Sequence, residues 1–240
     1  MDDLTFVWQS LPELLVGFPG HRPGGILLSL VLAVSSAATG MVLAVVLGSM
    51  SASTSRVLRV PATTYVWIIR GVPLILLLLL VHNVSSPTTL LGTQGSPTRS
   101  ALIALSLYST AYFADPIRAG LRSVPPQLIE DAALLGSRRS HTLIHVRLPF
   151  ALRSMFPGLT TQAVTIFKDT SVVVIIGVAD LTTNAQLVLG ADVANSERWI
   201  PLYLAVGSLY FVTALALTKA ASVWELRLTR SRSPIDLRTV

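Results

Sequence analysis

A chain of 240 residues that is 52% hydrophobic and only 12% charged is too apolar for a soluble domain, in which about a quarter of residues are charged. It contains no cysteine, which excludes disulfides, thiolate metal ligands and cysteine nucleophiles. The net charge of +6 would suit a nucleic-acid partner, but basic residues in a membrane protein first report its orientation. We therefore expect one compact integral membrane domain that binds membrane lipid and no nucleic acid.

The first residues of the chain are predicted to lie against the outer surface of the membrane. Large apolar residues recur there at helical spacing: Leu4, Val7, Trp8, Leu11, Leu14 and Leu15. This pattern indicates an interfacial helix, with Trp8 at the level of the lipid headgroups. The acidic Asp2 and Asp3 argue against a cleavable leader, so we expect residues 1–24 to form an external segment.

Five segments are predicted to cross the membrane as helices, and several exceed the roughly 18 uncharged residues that mark such a helix. They run from about Gly25 to Ser49, Pro61 to Asn83, Arg99 to Ile117, Pro157 to Ala179 and Ile200 to Ser222. Small residues in the middle of the first span suit close helix packing. We expect a transmembrane domain over residues 25–222 and a basic cytoplasmic tail over 223–240.

The second and fourth spans carry charged residues, which are costly inside a membrane. Arg70 precedes Gly71–Pro73, which disturbs a helix, and Lys168 and Asp169 lie together at the middle of the fourth span. Two interpretations are open. Either Asp169 pairs with Arg70 or Lys168 and locks the helices together, or these groups bind a substrate.

The distribution of Lys and Arg predicts the side of the membrane on which each loop lies, because cytoplasmic segments carry the excess of positive charge. With the N-terminus outside, thirteen basic residues fall inside: Arg56, Arg59, Arg118, Arg122, Arg138, Arg139, Arg147, Arg153, Lys219, Arg227, Arg230, Arg232 and Arg238. Three fall outside: Arg22, Arg99 and Arg198. The loop over residues 118–156 and the C-terminal tail are therefore expected to be cytoplasmic.

The cytoplasmic loop is predicted to contain a short helix with a defined start and end. Pro125–Pro126 stops any preceding helix and can start a new one, because proline fits the first helical turn. Glu130 and Asp131 then lie near the positive N-terminal end of that helix. Ala132 and the alanine after it give a small surface that another protein can approach closely. Gly136 can adopt the left-handed conformation that ends a helix.

A second short helix is predicted to follow, with Ser137 as its cap and Pro149 at its end. Together the two helices would lie across the membrane surface. A basic amphipathic segment resting on anionic lipid is the alternative, and charge alone would favour it. The spacing from Glu130 through Gly136 to Leu148 and Pro149 favours docking onto a partner protein instead.

This spacing resembles the cytoplasmic coupling loop of ABC importer permeases, in which Glu-x-Ala-x-x-x-Gly is followed nine residues later by Ile/Val-x-Leu-Pro. The matching residues are Glu130, Ala132, Gly136, Val146, Leu148 and Pro149. Asp131 replaces the alanine usual in that family, and Val146 replaces the commoner isoleucine. The resemblance implies that an ATPase subunit is coupled through Glu130, Asp131, Ala132, Gly136, Leu148 and Pro149.

Two further stretches resemble the polar amino acid permeases of that superfamily. Arg70–Leu74 is similar to their Arg-Gly-Thr-Pro-Leu, and Lys168–Val172 is similar to their Lys-Asp-Thr-Ser-Leu. We expect substrate contacts from Arg70, Lys168, Asp169, Thr170 and Ser171. Arg70 would bind the carboxylate of an amino acid through two parallel hydrogen bonds, and Asp169 would bind its ammonium group. Two cations and one anion favour glutamate or aspartate, with glutamine also considered.

The family resemblance implies an all-α integral membrane fold: five transmembrane helices of the type I ABC importer permease architecture, with a cytoplasmic coupling-helix loop. It also implies two copies of an ATPase, a second permease in a homodimer or heterodimer, and an extracytoplasmic amino acid-binding protein in a bacterial inner membrane. The chain has no Gly-x-x-x-x-Gly-Lys-Ser/Thr phosphate loop. We therefore expect no enzymatic activity and no cofactor in this chain, with ATP and Mg bound by the ATPase.

An ATP-independent secondary carrier or channel is the alternative, with the intramembrane charges serving an ion pathway. Such a carrier often shows an internal repeat and works without a docking loop, whereas this chain has the loop and no visible repeat. His141 and His145 lie four residues apart with no acidic third ligand nearby. We expect two solvated histidines rather than a metal site.

Overall fold

The protein is described by a computed structural model that covers residues 3–18, 23–85 and 96–230. Most of these residues form α-helices: α1 (Asp3–Val16), α2 (Gly25–Ser51), α3 (Arg56–Gly71), α4 (Leu74–Val84), α5 (Pro97–Arg122), α6 (Pro126–Leu134), α7 (Arg139–Thr142), α8 (Leu148–Asp169), α9 (Leu181–Gly190) and α10 (Trp199–Arg230). A π turn (Leu143–Arg147) precedes α8, and 3₁₀ segments follow α8 (Thr170–Ile176) and precede α10 (Val193–Arg198). The predicted all-helical fold is confirmed.

Among the described residues, three helical stretches are long and apolar enough to cross a membrane: Gly25–Ser51, Ser154–Ile176 and Trp199–Glu225. A fourth crossing requires α3 and α4 together, and these two helices meet at an angle of 106°. The sequence predicted one span from Pro61 to Asn83 with a helix disturbance at Gly71–Pro73, and the structure bends sharply at that point. The cause of the bend is local: Val72 takes an extended backbone (φ −93°, ψ 128°) because Pro73 disfavours a helical conformation in the residue before it.

The predicted third span corresponds to α5, which is more polar than the three apolar stretches, is not counted among them, and forms the centre of the bundle. Helices α2, α3, α4 and α8 all pack against it, so its buried hydroxyls, such as those of Ser109 and Thr110, are covered by protein. The closest approach is between α2 and α5. A Cβ added to Gly40 would collide with Ser109, and one added to Gly48 would lie 2.8 Å from Ile117. Small residues therefore let the two backbones approach closely, as the sequence predicted for the first span.

A buried polar junction joins the N-terminal part of the chain to α9, a helix that the sequence did not predict. Asp180 caps α9 by accepting the Thr183 N–H at 2.8 Å, and its other carboxylate oxygen accepts the Tyr210 hydroxyl at 3.1 Å. The Ser29 hydroxyl of α2 accepts the Leu181 N–H, and the Asn184 amide donates to the Glu13 carbonyl at the end of α1. These bonds hold α1, α2, α9 and α10 together at one end of the bundle.

Candidate functional site

A polar stripe runs along one face of α5. Tyr108, Tyr112 and Asp115 are spaced by four and three residues, so they share a helical face. The rings of Tyr108 and Tyr112 lie against each other with their centroids 4.4 Å apart. All three side chains are partly exposed, so the stripe can be reached from outside the bundle.

The end of this stripe that is nearer the C-terminus of α5 is an ion cluster, defined here as Arg70, Asp115 and Arg118. One Asp115 carboxylate oxygen accepts Arg70 Nη1 at 2.6 Å, and the other accepts Arg118 Nη2 at 2.8 Å. The Arg70 guanidinium also lies over the Tyr112 ring, 5.3 Å from its centroid, in the geometry of a cation–π contact. Two cations and one anion leave the ion cluster with a net positive charge.

This arrangement differs from the pairing that the sequence left open for Arg70. The carboxylate that binds Arg70 belongs to Asp115, not to Asp169. The Arg70 side chain keeps 43% of its surface exposed, and a guanidinium has five N–H donors. Arg70 therefore has donors left for a further anion while it is held in place by Asp115.

The other end of the stripe is marked by Asp169, the last residue of α8. Its Oδ2 atom is buried and has no hydrogen-bond partner among the described residues. Tyr108 lies within electrostatic range of both Asp169 and Arg70. A buried carboxylate oxygen without a donor is costly, so the structure places an unsatisfied acceptor on one side of the tyrosines and the ion cluster on the other.

The remaining predicted substrate residues are not gathered at this stripe. Lys168 is exposed and borders a groove between α8 and α10, beside Phe211. It points away from its neighbour Asp169, because consecutive residues of a helix point about 100° apart. The Thr170 hydroxyl is buried and donates to the Phe167 carbonyl of the preceding helix, α8. Ser171 is half-buried. The structure thus brings Arg70 and Asp169 to the two ends of the stripe and leaves Lys168 elsewhere.

Sequence reasoning missed Asp115, Tyr108 and Tyr112 as site residues. Both tyrosines lie within the predicted third span, and their spacing of four was a usable signal. Asp115 gave a weaker one, since it lies two residues before the predicted end of that span, where a carboxylate need not be buried.

The cytoplasmic loop forms a second candidate site, the coupling segment, defined here as residues 125–149. Its first helix, α6, ends as predicted, with Gly136 in the left-handed conformation at φ +75°. The Gly136 N–H donates to the Ala133 carbonyl at 2.9 Å, and the Ser137 N–H donates to the Ala132 carbonyl at 3.0 Å. These two bonds form a Schellman motif, which satisfies the last carbonyls of the helix.

The exposed surface of the coupling segment differs in part from the one expected. Glu130 and Asp131 are exposed, but Ala132 is buried within the chain and cannot offer the small contact surface predicted for it. The most exposed apolar residues are Leu134 and Leu135, at 86% and 88%. Two adjacent leucines before a helix-ending glycine were the missed signal, because exposed apolar side chains that cluster at one point indicate a contact surface.

The second half of the coupling segment also departs from the prediction. Pro149 does not end a helix: α7, the π turn and α8 follow one another without a break. The Leu148 N–H donates to the Leu143 carbonyl in the π pattern, and Pro149 then lies in the first turn of α8, where a missing N–H costs little. The Ser137 hydroxyl does not cap α7 but bonds to His141 instead.

Comparison with known proteins identifies relatives over most of the chain. Residues 40–227 match the family model described as the inner membrane component of binding-protein-dependent transport systems. The probable glutamine ABC transporter permease protein GlnP of Bacillus subtilis is 32% identical over 161 residues, covering 67% of this chain and 72% of its own length. The arginine ABC transporter permease protein ArtQ of Haemophilus influenzae is 32% identical, and the match covers 71% of this chain and 77% of its own length. The glutamate/aspartate import permease protein GltK of Escherichia coli is 29% identical, and the match covers 94% of this chain and 97% of its own length.

Solved structures give the same architecture. A chain of an amino acid ABC transporter crystallised with histidines superposes with a TM-score of 0.76 at 26% identity, covering 95% of this chain and 99% of its own. A chain of the MetNI methionine ABC transporter in an inward-facing conformation has a TM-score of 0.67 at 19% identity, covering 83% and 94%. The second likeness concerns the fold alone.

Proposed function

The chain belongs to the family of inner membrane components of binding-protein-dependent transport systems, and we propose that it forms half of the path by which a polar amino acid enters the cell. It is an integral inner membrane protein and a permease subunit of an ABC importer. Such subunits are membrane components and not enzymes themselves. The alternative of an ATP-independent carrier is not favoured by this family membership.

The substrate proposal is carried by one observation, the opposite charges at the two ends of the tyrosine stripe. Asp169 offers an unsatisfied acceptor for an ammonium group, and the ion cluster offers spare guanidinium donors for a carboxylate. The two tyrosine rings between them, tilted against each other, present π faces to which an ammonium group is attracted. An α-amino acid carries both charges, so its backbone fits the stripe.

The net positive charge of the ion cluster favours a substrate with an additional anionic or neutral polar side chain. We therefore propose glutamate, aspartate or glutamine as the substrate. Arg70 has the role of carboxylate ligand, and Asp169 that of ammonium ligand. Lys168 would take part only from a second permease or through a change of conformation, because it borders the groove beside α10.

The coupling segment is proposed to bind the ATPase. Glu130, Asp131, Leu134 and Leu135 are exposed on one short helix whose end is fixed by the Gly136 motif. A rigid exposed tip of this kind suits insertion into a cleft of another protein, with the leucines desolvated at the centre and the carboxylates at the rim. ATP and Mg would be bound by two copies of that ATPase, and nucleotide chemistry would take place there.

The remaining partners and the orientation are also proposals. A second permease, identical or related, would complete the path, because the α5 stripe is open to one side. An extracytoplasmic amino acid-binding protein would deliver the substrate. The charge count of thirteen against three supports an outside N-terminus and a cytoplasmic coupling segment.

Reconstitution tests this function. The permease is placed in proteoliposomes with its ATPase and binding protein, and ATP hydrolysis is measured against a panel of amino acids. We expect glutamate, aspartate or glutamine to stimulate hydrolysis and to accumulate inside. Uptake by the permease alone, without the ATPase, would instead support the carrier. Stimulation by an uncharged apolar amino acid but by none of these three would refute the substrate proposal.

A further inference from the structure

A cleft of about 600 Å³ separates the coupling segment from the rest of the bundle. One wall is formed by the end of α2 and the turn that follows it, through residues 49, 50 and 52–54, together with Leu58 of α3. The other wall is formed by α6, α7 and the π turn. The cleft is therefore bounded by both the membrane-spanning bundle and the segment proposed to bind the ATPase.

The cleft carries a concentrated positive charge. Arg139 and Arg147 line it, several hydroxyl groups surround them, and its described lining contains no acidic residue. Arg147 is anchored at one end, since its Nη2 donates to the Leu121 carbonyl at 3.2 Å. Its Nε is buried and has no hydrogen-bond partner among the described residues. Because that atom is buried, it is not accessible from the cleft. A guanidinium carries five N–H donors, so the two arginines keep other donors with which an anion in the cleft can be bound.

The position of the cleft indicates where that anion comes from. Ser51 ends the membrane-spanning helix α2, so the adjacent turn lies at the membrane–water boundary. At the start of α3, Val57 is 82% exposed and Leu58 is also exposed, which suits contact with lipid. Phosphate groups of phospholipids are concentrated at this level of the membrane.

We propose that this cleft binds the phosphate group of an anionic phospholipid from the leaflet on the side of the coupling segment. The planar guanidinium groups of Arg139 and Arg147 are suited to paired hydrogen bonds with phosphate oxygens. The site is distinct from the ATPase-binding tip, because Leu134 and Leu135 do not line the cleft. A lipid held between the two walls braces the coupling segment against the bundle.

The test measures lipid retention by the full-length permease, purified from membranes that contain phosphatidylglycerol, by native mass spectrometry. We compare the wild type with Arg139→Gln and with Arg139→Gln/Arg147→Gln. The matched control is Arg122→Gln/Arg138→Gln, which removes two positive charges from neighbouring exposed positions outside the cleft. Arg147→Gln also removes the bond to the Leu121 carbonyl and could disturb the fold. The single Arg139→Gln variant keeps that bond, so a loss of lipid in this variant is not caused by misfolding at Arg147.

We expect the cleft variants to hold phosphatidylglycerol about tenfold more weakly per arginine removed, the size of one charge-assisted hydrogen bond, while the control binds like the wild type. Equal retention by all variants would overturn the proposal. Glycerol 3-phosphate added in detergent separates the two sources of phosphate: if it binds at Arg139 and phosphatidylglycerol does not, the lipid assignment is wrong. The readout needs no ATPase or amino acid, so its outcome is independent of the transport function.

Discussion

Asp115 and Arg70 lie 45 positions apart in the chain, yet their side chains meet at 2.6 Å and join the end of α3 to α5. Asp115 binds Arg118 through its other oxygen at the same time. The carboxylate thereby holds the Arg70 guanidinium over Tyr112, at the point where α3 breaks and turns into α4. We interpret Asp115 as a positioning residue for Arg70.

Replacing this carboxylate tests that interpretation. Both partners are about a third exposed or more, so Asp115→Asn should change the free energy of unfolding by only about 1 kcal/mol or less. Amino acid uptake should fall much further, with a raised KM, because Arg70 loses its fixed orientation. Asp3→Asn, which removes one partner of Arg198 in a separate ion pair, is the control. Uptake that survives Asp115→Asn unchanged would show that the pair has no role in transport.

Arg70→Lys keeps the positive charge but removes the planar arrangement of donors. We expect the variant to assemble with its ATPase, yet to lose most uptake and most substrate-stimulated ATP hydrolysis. Arg59→Lys, on the same helix but away from the stripe, should leave both unchanged. Normal transport by Arg70→Lys would make Arg70 a structural residue and would place the substrate elsewhere.

Asp169→Asn should separate stability from function. The variant replaces a carboxylate, one oxygen of which is buried without a partner among the described residues, by a neutral amide. Because the cost of burying the charge is removed, the thermal midpoint of the purified permease should stay equal or rise. Uptake should nevertheless be lost, because the proposed ammonium ligand is gone. A gain in stability together with a loss of activity is typical of a binding residue. A clear fall in the midpoint would indicate instead that Asp169 has a structural partner.

The elements that the sequence predicted well are those determined by neighbouring residues. Gly136 and the end of α6 follow from conformational preferences within a few positions, and the close packing of the first span follows from its small residues. The Arg70–Asp115 pair depends on the register of two helices, which no local pattern specifies. Helix α9 was missed because Leu181–Gly190 is short and begins with polar residues. The helix disturbance at Gly71–Pro73 was predicted from local sequence, but the size of the bend depends on how α3 and α4 pack against the rest of the bundle.

Gly136→Val should uncouple the permease from its ATPase. A side chain at φ +75° costs roughly 1 kcal/mol or more, which should displace Leu134 and Leu135. Co-purification of the ATPase should weaken, or ATP hydrolysis should continue without uptake, while the protein still inserts into the membrane. Glu130→Lys should act in the same direction by reversing a charge at the docking tip.

Gly190→Val is the matched control for the glycine variant. Gly190 also has open space around it but an ordinary φ, so it should tolerate the side chain. If Gly136→Val couples uptake to hydrolysis as well as the control does, the coupling segment is assigned to the wrong role.

Cysteine labelling tests the orientation, since the native chain contains no cysteine. Ser140→Cys is preferable to a cysteine at Ser137, because Ser140 is exposed whereas the Ser137 hydroxyl bonds to His141 and accepts a bond from Thr142. An impermeant reagent added to intact cells should leave Ser140→Cys unlabelled and should label Gln186→Cys on α9. The reverse pattern would invert the topology.

The unbroken run from α7 through the π turn into α8 has a mechanical consequence. Helix α8 contains 22 residues and is about 33 Å long, with the coupling segment at one end and Asp169 at the other. Pro157 lies inside this helix, which is otherwise continuous. A tilt that the proposed ATPase applied to the coupling segment would therefore be passed along α8 toward the Asp169 carboxylate. The π turn, with its wider hydrogen-bonded rings, and Pro157 are the two positions along this run where such a tilt would bend the helix instead of moving its far end.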